Sequence, residues 1–150
     1  MNLIEKNGNL FDAPQEYYLA HCISGDFALG AGIAKTFDQM YNMRFKLHRD
    51  YPLGDKVKYD YVGKALLVYR VFNLVTKLRY FHKPSYSSLG ETLTDMRKQC
   101  EQLNIKKIAI PKIGTGLDRL KWDFVKYEIK NSLDDSDIEI VVYILQSLKE

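Results

Sequence analysis

The feature that most constrains this chain is a junction that occurs twice. A short apolar run leads into a glycine-bearing turn, and the turn leads into a segment with helical apolar spacing. The first apolar run is Tyr-Tyr-Leu-Ala-His-Cys-Ile at residues 17–23. It is followed by Gly30, Ala31 and Gly32, then by Ile33, Ala34, Phe37, Met40 and Tyr41 on one helical face. The second run covers residues 105–110 and ends at Pro111. Gly114 and Gly116 come next, then a helix face of Trp122, Val125, Ile129 and Leu133. Strands alternating with helices predict an α/β layered domain, in which ligands bind where strand ends meet helix starts.

The rest of the chain fits the same scheme. A short second helix is expected over residues 42–50, stopped near Pro52. Residues 65–76 are almost wholly apolar and read either as one long strand or as a hairpin. Leu89, Leu93, Met96, Cys100 and Leu103 recur at spacings that alternate between four and three, which predicts a helix. Ser88 and Glu91 have the spacing of a capping box, which would mark its start. Residues 138–145 form a last apolar run, expected to be covered on both faces.

With 150 residues and no visible linker or repeat, one domain over residues 1–150 is expected. No apolar run approaches the roughly 20 residues of a membrane span. The first residues carry no long apolar signal core. A cytoplasmic monomer, with no membrane partner, is the expectation. Cys22 and Cys100 sit inside apolar patterns and read as buried thiols. Neither they nor His21, His48 and His82 have metal-ligand spacing, so no metal is expected. A net charge of +3 suits an anionic ligand but does not by itself argue for nucleic acid.

Each glycine-bearing turn admits two readings. Glycine there serves a tight turn, or it lets backbone N–H groups close on a phosphate. The spacing around Gly30 matches neither a P-loop nor a dinucleotide fingerprint. Asp118 and Arg119 bring opposite charges to the second turn, and Lys77 lies just past the long apolar region. Basic residues (Lys56, Lys58, Lys64, Arg79, Lys83) interleave with Tyr59, Tyr61, Tyr80 and Phe81. That pattern reads either as a nucleic-acid rim or as a solvated surface with tyrosines packed beneath.

Five stretches, in order, resemble the macrodomain family, in its terminal ADP-ribose protein glycohydrolase branch. They are Leu19-Ala20-His21-Cys22-Ile23-Ser24, Gly30-Ala31-Gly32-Ile33-Ala34, Thr76-Lys77, His82-Lys83-Pro84-Ser85-Tyr86, and the segment from Pro111 to Trp122. The resemblance covers nearly the whole chain. It implies a three-layer α/β/α sandwich around a mixed sheet, binding ADP-ribose without a cofactor. Gly30, Ala31, Gly32 and Ile33 would meet the diphosphate and distal ribose. Gly114, Thr115, Gly116 and Leu117 would embrace the diphosphate from the other side. Asn9, Leu10, His21, Ser24, Ile113, Tyr143 and Leu145 would complete the ligand site. Asn9 stands where the family often has an aspartate that accepts the adenine amino group, and an amide oxygen accepts the same bond without charge.

Lys77 and Asp118 match the catalytic lysine and aspartate of that branch, a pair that many macrodomains which only read ADP-ribose lack. The implied activity is an ADP-ribosyl glycohydrolase acting on a modified protein side chain or nucleic-acid base, with Lys77 as nucleophile. A reader module without catalysis, and a deacetylase or phosphatase of small ADP-ribose derivatives, are the alternatives.

Overall fold

The computed structural model describes residues 1–54 and 61–145. Lys56, Lys58 and Tyr59 of the expected basic and aromatic rim lie outside the described residues. The elements are β1 (Asn2–Asn7), a 3-10 turn (Leu10–Asp12), β2 (Tyr18–Ser24), α1 (Gly32–Tyr41), α2 (Met43–Asp50), β3 (Ala65–Val68), β4 (Val71–Lys77), α3 (Tyr86–Leu103), β5 (Lys107–Ile110), α4 (Trp122–Ser132) and β6 (Glu139–Ile144). Six strands form one mixed sheet in the order β1-β6-β5-β2-β4-β3, with only β3 antiparallel to its neighbour.

Side-chain alternation along the strands divides the core in two. Ala20, Phe72, Leu74, Ile108, Ile110, Ile140 and Val142 face α3 and α4. Leu19, Ile23, Val71, Val75, Ala109 and Val141 face α1 and α2. Both faces are therefore covered, which is why the inner strands read as continuous apolar runs. The sandwich of two helical layers about a mixed sheet is the architecture the sequence implied.

Residues 65–76 resolve into the hairpin of β3 and β4, with Val68 opposite Val71. Tyr69 takes φ 55° in the two-residue turn between them. The helix expected from Leu89 begins earlier, and its capping box is not Ser88 with Glu91. Ser85 is the cap: its Oγ accepts from the Ser88 N–H at 2.9 Å, while Ser88 Oγ accepts from the Ser85 N–H at 3.2 Å. A serine thus does the work assigned to a glutamate, one turn upstream. No strand was read in residues 2–7, yet β1 pairs with β6 along its length. It is an edge strand whose residues are mostly exposed, so it shows no apolar alternation.

The connections place the helices. β2 leads into α1 on one face, whereas β4 leads through α3 to β5, and β5 through α4 to β6, on the other. The chain therefore leaves β2 and β5 toward opposite faces. A crevice opens at such a switch point, beyond the carboxyl ends of the strands.

Candidate active site

β2 and β5 pair only through Tyr18 with Ile108 and Leu19 with Ala109, and then part. Into the gap fall the two glycine-bearing loops, which border a cleft of about 1070 Å³. One wall is the β2–α1 loop. Phe27 and Leu29 take φ 53° and 43° there, unusual for residues with side chains, and both are buried. Burial of the Phe27 ring, near His48 and Tyr61, holds the loop in a shape it would not choose alone. The loop ends at Ala31, which offers α1 no side-chain cap. The N–H groups of Gly32, Ile33 and Ala34 have no hydrogen-bond partner among the described residues. They are donors at a helix N-terminus, the natural seat of an anion.

The other wall is the β5–α4 loop. Gly114 sits at φ 74°, and a Cβ there would lie 2.9 Å from Leu120 Cδ1. Its tight turn needs glycine for geometry. Gly116 differs: nothing stands within 4 Å of where its Cβ would be, so it leaves space rather than enabling a turn. Leu117, 72% exposed, reaches across to Gly32.

Lys77 ends β4 at the head of the cleft. A bulge sets its aim: Ile23 pairs with Val75, but Ser24 pairs with Lys77, so Thr76 is skipped. Bulges re-aim side chains beside active sites. Ser88 Oγ donates to the Thr76 carbonyl at 2.6 Å, and the Gly25 N–H donates to the Lys77 carbonyl at 2.8 Å. Lys77 Nζ donates to Asp118 Oδ1 at 2.6 Å, with 14% and 17% of the two side chains exposed. Asp118 is the only carboxylate among the described residues lining the cleft; Lys83, Lys112 and Arg119 also line it. The cleft is thus positive beyond its one ion pair. Cys22 lies on its floor, partly exposed rather than buried as expected. Desolvation at the cleft floor, aided by the nearby Asp118 carboxylate, pushes its thiol up to about 12, which keeps it protonated at neutral pH.

No family model matches the chain. It is 35% identical over 139 residues to the human ADP-ribose glycohydrolase OARD1, across 92% of this chain and 88% of that protein. The chain belongs to the macrodomain family, in its ADP-ribose glycohydrolase branch. Its fold agrees: the macrodomain of Thermus aquaticus DarG superposes with a TM-score of 0.77 at 25% identity, over 94% of this chain and 97% of that one. A DNA ADP-ribosyl glycohydrolase of Thermus aquaticus is 27% identical over 143 residues, covering 91% of this macrodomain and 39% of that protein.

The macrodomain cleft gathers Ser24, Gly30, Ala31, Gly32, Ile33, Lys77, Ile113, Gly114, Thr115, Gly116, Leu117 and Asp118. The remaining expected ligand residues lie elsewhere. Asn9 is exposed past the end of β1, its Oδ1 accepting from the Phe11 N–H at 3.0 Å. Leu10 is buried next to it in the chain, Tyr143 is buried in β6, and Leu145 is exposed just after β6. These four stand at the carboxyl ends of the outer strands, in line with the cleft. The row from β1 to β4 spans four strand spacings, about 19 Å.

His21 does not line the cleft. It is fully buried, stacked on Phe37 with ring centroids 3.9 Å apart, and its Nε2 lies 2.6 Å from Asn73 Oδ1. Burial pulls its pKa down to about 4, against the raising effect of that hydrogen bond. It is a neutral core residue. Asp26 is the residue that sequence reasoning passed over. Its carboxylate accepts from Ser24 Oγ and from the Ala28 N–H within its own loop. An aspartate in a glycine-bearing turn is the signal, since its carboxylate bonds the backbone two residues on.

Proposed function

We propose that this macrodomain binds ADP-ribose and hydrolyses the bond between the distal ribose and a modified macromolecule, with Lys77 as nucleophile. The observation that carries the reading is the Lys77–Asp118 pair at the end of a cleft lined by unpaired N–H groups. The diphosphate lies against the start of α1 and the 114–117 loop, where donors meet its charge. The adenosine runs toward Asn9, Tyr143 and Leu145, and the distal ribose toward Lys77.

The proton that Lys77 shares with Asp118 must leave before attack, and Asp118 is the group placed to take it. The free amine then forms a bond to the ribose anomeric carbon while the bond from that carbon to the acceptor breaks. The acceptor departs with the bonding electrons and takes up a proton. Water later attacks the same carbon, the lysine leaves, and free ADP-ribose and unmodified enzyme result. A pure reader would have no use for this pair. The acceptor, protein or nucleic acid, enters past the exposed Tyr80 and Phe81, which border the cleft beside Lys83.

The test offers ADP-ribosylated protein and ADP-ribosylated single-stranded DNA side by side and measures released ADP-ribose. Lys77→Ala is expected to lose at least about 10³-fold in rate while binding free ADP-ribose as the wild type does. Lys77→Arg is expected to be equally inactive, because a guanidinium stays protonated. Near wild-type turnover by Lys77→Ala ends the reading.

A further inference from the structure

Two parts of the site that meet different portions of a ligand are joined by one carboxylate. Asp26 lies in the β2–α1 loop. Its Oδ1 accepts from Ser24 Oγ at 2.5 Å and from the Ala28 N–H at 3.2 Å. Its Oδ2 reaches out of the loop and accepts from the Tyr80 N–H at 3.0 Å. Tyr80 is three residues past Lys77, in the segment that leaves β4. Next to Asp26, the Gly25 N–H holds the Lys77 carbonyl. The stretch from Lys77 to Tyr80 is therefore pinned at both ends to one loop.

We propose that Asp26 is a positioning residue, a strap through which the loop that meets the diphosphate also fixes the aim of Lys77 and the seating of the Tyr80–Phe81 rim. The strap answers a mechanical need. The loop adopts positive φ at Phe27 and Leu29, so its shape is imposed by its contacts. Lys77 follows a bulge, where ladder pairing is disturbed and strand geometry alone does not dictate direction. Hydrogen bonds to a carboxylate are stronger than neutral ones, and here they span both segments. The idea rests on Lys77 as the reacting group, but the strap itself can be read without turnover.

Asp26→Asn isolates the strap. One amide oxygen can keep the two bonds inside the loop, but the NH₂ group then faces the Tyr80 N–H, donor against donor. The expected result is a fall in kcat of about 10- to 30-fold, with the Kd for free ADP-ribose within about threefold of wild type. Asp26→Ala, which also frees the loop, is expected to weaken ADP-ribose binding as well.

A second readout needs no substrate. Acylation of Lys77 by a small activated ester, read by peptide mass spectrometry against Lys130, is expected to rise at least about fivefold in Asp26→Asn. Unchanged labelling together with kcat within threefold of wild type overturns the strap. Loss of kcat and ADP-ribose affinity in equal proportion in Asp26→Asn overturns it too. If the wild type shows no turnover on any ADP-ribosylated substrate, the hydrolase reading fails, and the labelling experiment still decides the strap.

Discussion

Among single residues, His21 and Lys77 show how differently the same sheet treats two ionisable groups. Lys77 keeps a charged partner at the cleft. His21, on the neighbouring strand, is sealed under α1 as a neutral ring. Its proton affinity then becomes a stability term with a definite sign. The unfolded chain protonates this histidine near pH 6.5, the folded one only near pH 4. Between those values the unfolded state binds a proton that the native state refuses. The stability His21 allows is therefore fully present above pH 6.5 and declines by on the order of 3 kcal/mol as the pH falls to 4. Urea titrations at pH 7 and pH 4.5 check this. His21→Gln is expected to flatten the decline, and an identical decline in both proteins would show that the acid sensitivity lies elsewhere. His21 was also the residue least legible in the sequence. It follows Ala20 and precedes Cys22 in a motif that does reach the cleft, but alternation along β2 turns it to the α1 face. That Lys77 and Asp118 would share one cleft was legible through the family's motifs. Asp26 was not, because its role depends on a partner that is distant in sequence.

Elements differ in how openly the sequence displays them. α3 announces itself by its apolar repeat, and the central strands by being apolar on both faces. β1 is nearly silent, since an exposed edge strand draws its stability from β6, more than 100 residues away. The start of α3 was misplaced because the capping rule looks for glutamate or glutamine, whereas Ser88 fills that position. The same serine links the helix to the end of β4. Ser85→Ala and Ser88→Ala each remove a capping bond, and each is expected to cost about 1 kcal/mol of stability. Only Ser88 also holds the Thr76 carbonyl, beside the bulge that aims Lys77. Ser88→Ala is thus expected to lower kcat several-fold more than Ser85→Ala, at temperatures where both variants are fully folded. Denaturation midpoints paired with turnover measurements test the contrast, and equal kcat values would sever α3 from the site.

At the scale of the whole molecule, an occupied cleft adds contacts between halves of the sheet that part after Leu19 and Ala109. ADP-ribose at about 100 times its Kd is expected to stabilise the fold by about 2.7 kcal/mol. For a chain of this size that corresponds to a rise in Tm of roughly 5–10 °C. Gly116→Glu is the informative variant. Its side chain enters open space, so the ligand-free Tm should hold while the ligand-induced rise disappears. Gly32→Glu would blur the answer, because Gly32 sits at φ 59° and any side chain there strains the backbone. A full rise in Gly116→Glu would place the ligand away from the 114–117 loop. The strand order carries a further consequence, which concerns time. β2 lies between β4 and β5, yet β5 follows it by roughly 90 residues in the chain. On a ribosome adding about 5–20 residues per second, this strand waits several seconds for its second neighbour. Throughout that interval a strand that ends up almost wholly buried has an open edge, so the site's own central strand is exposed to wrong partners while the chain is being made.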